Sequence, residues 1–60
     1  MLETSRPKIV RRLTQEGWLN QGGKKHDEFV HPDFDASIIV PRHKTLSSGV
    51  SRHIARAAGW

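Results

Sequence analysis

Sixty residues, 35% of them hydrophobic, allow one domain spanning residues 1–60. Its core must be thin, because a chain this short hides only about 60% of the surface its unfolded form exposes. The absence of cysteine excludes disulfide staples and thiolate zinc sites, and no apolar run approaches the roughly 18 residues of a membrane span or forms a signal-peptide apolar region, so the expected compartment is the cytoplasm.

Ten Lys and Arg against six Asp and Glu give a net charge of +4. The basic groups lie toward both ends and in the loops, whereas Asp27, Glu28, Asp33 and Asp35 gather in the middle. Such a distribution suits a polyanion or an acidic protein as partner, and equally a solvated surface tuned for solubility.

In chain order, Thr4 or Ser5 can cap a helix that accepts Pro7 in its first turn, where the missing N–H is tolerated. Ile9, Val10 and Leu13 share one side of that helix and Gly17 stops it, which predicts helix over residues 5–16. Trp18–Asn20 reads as a short extended piece with Trp18 as a core anchor. Gly22-Gly23-Lys24-Lys25 is a flexible basic turn, and His26–His31 follows as a strand ended by Pro32. If Phe29 faces the core, alternation puts Asp27 and His31 on its side and His26, Glu28 and Val30 on the other. Pro32–Asp35 is a turn by composition, and the β-branched run Ala36–Val40 is a third strand closed by Pro41. After the basic loop Arg42-His43-Lys44, the polar segment Thr45–Ser48 offers several caps for a second helix. Val50, Ile54, Ala57 and Ala58 form its buried stripe and Gly59 its end. The expected fold is α+β, a three-stranded antiparallel sheet with both helices on one face and His26 on the open face.

His26 is the one group that combines loop flexibility, local positive charge and a side chain that titrates near neutrality. On residues alone it reads either as a reactive group or as an ordinary surface strand histidine. His31 suits a turn-capping or packing role, and His53 is a boundary residue of the second helix. For His43, between Arg42 and Lys44, a structural role and a phosphate or base contact weigh about evenly. His26, Asp27, Glu28, His31, Asp33 and Asp35 crowd together, but alternation separates His26 from His31 and no HExxH or CxxC spacing occurs. Neither a metal nor another cofactor is therefore expected.

The chain resembles the HicA toxin family, small RNA-cleaving proteins of bacterial toxin–antitoxin pairs. The resemblance rests on Gly17-Trp18 after the first helix, the glycines and lysines leading into His26, Phe29-Val30-His31-Pro32, Val40-Pro41-Arg42-His43-Lys44, and Ala57-Ala58-Gly59-Trp60. It implies a double-stranded-RNA-binding-like α-β-β-β-α fold, metal-independent cleavage of mRNA, and neutralisation by a HicB-type antitoxin. The reactive histidine of the family's Gly-Ser/Lys-His segment falls on His26. Two features depart from the family pattern: two lysines stand between Gly23 and His26 where one residue is common, and Asp27 stands where a second histidine often follows the first.

On this reading His26 is the general base, a step that typically contributes about 10²- to 10⁴-fold. Lys24, Lys25, Arg42, His43 and Lys44 are the RNA-binding groups, which offset charge on the phosphate. The open sheet face and its flanking loops are expected to meet the antitoxin, with a monomer alone and a hetero-oligomer in its presence. The alternative is a non-catalytic RNA-binding module of the same fold. DNA binding through Ser48–Trp60 as the opening of a helix-turn-helix ranks last, for want of a recognition helix.

Overall fold

A computed structural model describes residues 2–60. The element order is α1 (Arg6–Gln15), β1 (Leu19–Asn20), β2 (His26–His31), β3 (Phe34–Pro41) and α2 (Ser48–Ala58). The three strands form one antiparallel sheet in the order β1-β2-β3. This is the expected α+β arrangement.

Both helices end by the same closure. Gly17, at φ 96°, turns the chain so that the Trp18 N–H reaches the Leu13 carbonyl (3.0 Å) and the Gly17 N–H reaches Thr14 (3.2 Å). Gly59, at φ 81°, does the same for α2, with the Trp60 N–H on Ala55 (2.8 Å) and its own N–H on Arg56 (3.2 Å). A left-handed residue after the last turn satisfies carbonyls that would otherwise lack partners, and glycine takes that conformation without a Cβ penalty. Each Gly-Trp pair thus ends a helix and delivers an indole to a fixed place. Trp18 enters the core, whereas Trp60 donates its indole N–H to Glu16 Oε1 (2.6 Å) under the guanidinium of Arg12, 4.2 Å from the ring centre.

At its start, α1 is tied to the loop before α2. The Arg6 N–H donates to the Lys44 carbonyl (3.0 Å) and the Leu46 N–H to that of Thr4 (2.9 Å). Ser5 occupies the cap position of α1 but makes no side-chain cap bond, whereas the Ser47 hydroxyl accepts the Val50 N–H and caps α2.

The core is Ile9, Leu13, Trp18, Phe29, Ile38, Val40, Leu46, Ile54 and Ala58, one face of the sheet packed under both helices. Val10, Val50 and Ala57, expected in the helix stripes, lie at its margin. Leu46 corrects the reading of Thr45–Ser48 as merely polar: the bonds that tie residues 4–6 to 44–46 turn this leucine inward. The turn between β2 and β3 is also shorter than its composition suggests. It consists of Pro32 and Asp33, with His31 paired to Phe34, so that Phe34 and Asp35 belong to β3. The His31 ring explains the tight turn: its Nδ1 accepts the Asp33 N–H (3.0 Å) and its Nε2 reaches the Glu16 carbonyl (2.9 Å), which fixes the Nε2–H tautomer. The same ring packs against Trp18 and Phe34 at centroid distances of 5.1 and 5.0 Å, the capping and packing role expected of it.

Candidate active site

The sheet register gathers the expected site residues at one end of the molecule. His26 opens β2 and pairs with Pro41, near the end of β3, so the loop Arg42-His43-Lys44 leaves the sheet beside the point where the glycine and lysine loop enters it. The side chains of Lys24, Lys25, His26, His43 and Lys44 are exposed. His26 is one strand position from Asp27 and three from Phe29, odd offsets that place it on the face away from the core.

The backbone ahead of His26 is tightly folded. Gly22 and Gly23 have φ of 76° and 153°, and a Cβ added to Gly23 would stand 2.3 Å from the His26 carbonyl oxygen. A side chain at position 23 is therefore excluded by both conformation and contact. The Gly22 N–H donates to Asn20 Oδ1 (2.7 Å), and β1 continues its pairing past Asn20 through the Gln21 N–H on the Glu28 carbonyl (2.7 Å).

Asp27, placed by alternation on the core side of β2, is the centre of a charge network that the sequence reading did not assign. It is 8% exposed on the core side of β2, and both of its carboxylate oxygens are used. Oδ1 accepts from Arg42 Nε (3.1 Å) and Nη2 (2.8 Å), and Oδ2 accepts from Arg6 Nη2. Arg42 continues to the loop carbonyls of Gly23 (Nη2, 2.7 Å) and Lys24 (Nη1, 3.3 Å), and Arg6 Nε donates to the Pro41 carbonyl (2.8 Å). The signal was present in the alternation, which places this acid on the core side, where a buried carboxylate requires a cationic partner. Its partners lie 15 and 21 residues away, beyond the reach of any local pattern. Arg42, expected as a phosphate contact, has most of its guanidinium occupied by these bonds.

Electrostatically, the hydrogen bonds from Arg42, and after them the bond and charge of Arg6, hold the Asp27 carboxyl below the ordinary carboxylate range against the upward pull of desolvation. Glu16 is lowered too, chiefly by the Trp60 indole N–H and then by Arg12. The sign for stability follows. Both groups stay ionised in the folded chain at pH values where the unfolded chain takes up protons, so their contribution is complete above the usual carboxylate pKa and is lost as pH falls through the lowered one. Thermal unfolding between pH 7 and 2.5 is expected to show a melting temperature that falls from about pH 4 downward. This slope should be shallower in Asp27→Asn and in Glu16→Gln, and an unaltered slope in both variants would contradict the assignment.

Among the described residues no three His, Cys, Asp or Glu side chains group as metal ligands, and no helix is long and apolar enough to cross a membrane. The molecule is thus a small α+β domain that presents two exposed histidines, His26 and His43, at a cationic sheet end. The family model for the HicA toxin of bacterial toxin–antitoxin systems matches residues 6–60, from the first residue of α1 to Trp60, and the chain belongs to that family. No curated protein matches it significantly.

Proposed function

We propose that this toxin is an endoribonuclease that cleaves mRNA without a metal, with His26 as general base and acid. The observation that carries the reading is the exposed His26 ring at the head of β2, flanked by Lys24 and Lys25 before it and by His43 and Lys44 across the sheet register. Asp27, the carboxylate next to His26, is turned inward onto two arginines, so it does not offset this exposed cationic edge.

RNA supplies its own nucleophile. His26 takes the proton of the 2′-hydroxyl, the 2′-oxygen attacks the adjacent phosphorus, and the bond to the 5′-oxygen breaks as that oxygen gains a proton. Lys24, Lys25, His43 and Lys44 meet the phosphate charge that grows in the transition state, and Arg42 adds its charge to the same field. The protein acts in the cytoplasm, is monomeric alone, and is neutralised in a hetero-oligomer by a HicB-type antitoxin that covers the open sheet face and His26.

Incubation of end-labelled RNA with the purified chain in EDTA tests the reaction. Fragments ending in a 2′,3′-cyclic phosphate and a 5′-hydroxyl are expected. RNA that is bound but left intact would replace this reading with the non-catalytic RNA-binding module, and cleavage restored only by a divalent cation would remove the metal-independent step.

A further inference from the structure

The carboxylate of Asp27 links by side-chain bonds three segments that the sheet register and the backbone bonds between residues 4–6 and 44–46 bring close together. Through Arg42 it reaches the carbonyls of Gly23 and Lys24 in the loop before His26. Through Arg6 it reaches the first turn of α1 and the Pro41 carbonyl at the end of β3, and the Arg6 backbone N–H holds the Lys44 carbonyl. These are the segments that carry Lys24, Lys25, His43 and Lys44.

The first part of the loop is held through Gly22, whose N–H donates to Asn20 Oδ1 and whose carbonyl accepts the Glu28 N–H (3.2 Å), so the lysine part is where a further constraint matters. The loop's two glycines adopt positive φ, and neither lysine has a carboxylate partner among the described residues. Arg42 supplies this further constraint, since a planar fork that binds one carboxylate and two successive carbonyls admits a narrow range of loop shapes. In a trans peptide the N–H points opposite to the C=O. With the Gly23 and Lys24 carbonyls turned to Arg42, the N–H groups of Lys24 and Lys25 therefore face away from it.

We propose that Asp27 is the positioning residue of this site: by orienting Arg42 and Arg6 it sets the glycine and lysine loop, and the cations that meet phosphate, in register with His26. The inference rests on His26 being the reactive group. It gives a task to the acid that stands where relatives often carry a second histidine. It also moves Arg42 from direct phosphate recognition to control of the loop.

Two substitutions separate positioning from charge. Asp27→Asn keeps the shape but loses the ionic acceptor. Arg42→Lys keeps the positive charge but loses the fork, and it alters a side chain that is 44% exposed and so leaves the core intact. RNA affinity and single-turnover cleavage at saturating RNA are measured at a temperature where circular dichroism shows each variant folded. In parallel, ¹⁵N relaxation of the Lys24, Lys25 and His26 amides is recorded without RNA.

In both variants the cleavage rate should fall by about tenfold or more, as expected when reacting groups are displaced by a fraction of an ångström to an ångström. RNA affinity should change by less than about threefold, because the exposed cations remain. The loop amides should gain motion. Arg42→Lys with wild-type cleavage and unchanged relaxation would overturn the proposal. If the wild-type chain cleaves no RNA, the nuclease reading fails by itself, and the clamp is then judged by relaxation, where unchanged loop order in both variants refutes it.

Discussion

His26→Ala is expected to lower RNA cleavage by about 10²- to 10⁴-fold, the usual contribution of a positioned general acid–base group. Folding should be unaffected, because the ring is exposed at the first position of β2 and belongs to no part of the core. RNA binding should stay within about threefold of wild type, since phosphate affinity resides in several cations and the lost group is one of six basic side chains exposed at this end. The combination is what identifies catalysis. A fall in binding that matched the fall in cleavage would make His26 a contact residue, and full cleavage by the variant would remove it from the mechanism. His43→Ala is the natural comparison, since His43 is exposed on the neighbouring loop. A larger loss there than at His26 would transfer the proton step to the other imidazole.

Much of this arrangement could be read before any coordinates. The limits of β2 at His26 and His31 follow from glycines on one side and Pro32 on the other, and alternation from Phe29 separates His26 from Asp27 correctly. The two Gly-Trp pairs mark both helix ends because a left-handed glycine is a local requirement of the chain. What escaped depends on distant partners. Phe34 and Asp35 look like turn residues by composition, yet His31 satisfies the Asp33 N–H and closes the turn two residues earlier. Leu46 sits in a polar stretch and is drawn inward by backbone bonds to residues 4–6, some 40 positions away in sequence. Asp27 shows a similar limit. Its burial was implied by strand geometry, but its function depends on Arg6 and Arg42, and their convergence is a property of the folded sheet end.

The same geometry makes Phe29 the residue on which the whole site depends for its existence. It is fully buried in the central strand, paired with Asn20 on one side and Ile38 on the other, and it belongs to the core shared by α1 and α2. Phe29→Ala should cost about 3–5 kcal/mol through lost transfer energy and the cavity left behind. A domain of this size has a total stability of about 3–9 kcal/mol at the usual 0.05–0.15 kcal/mol per residue. The variant should therefore be largely unfolded, or melt far below wild type, in circular dichroism and urea titrations. Ile39→Ala, on the opposite face of the neighbouring strand and 41% exposed, should cost less than about 1 kcal/mol. A Phe29→Ala protein that unfolds cooperatively within about 1 kcal/mol of wild type would show that the core is not centred on β2. The contrast with His26→Ala is physical: both variants should lose cleavage, but one loses a proton acceptor from an intact sheet, and the other loses the sheet that brings His26, the lysine loop and the Arg42 loop together.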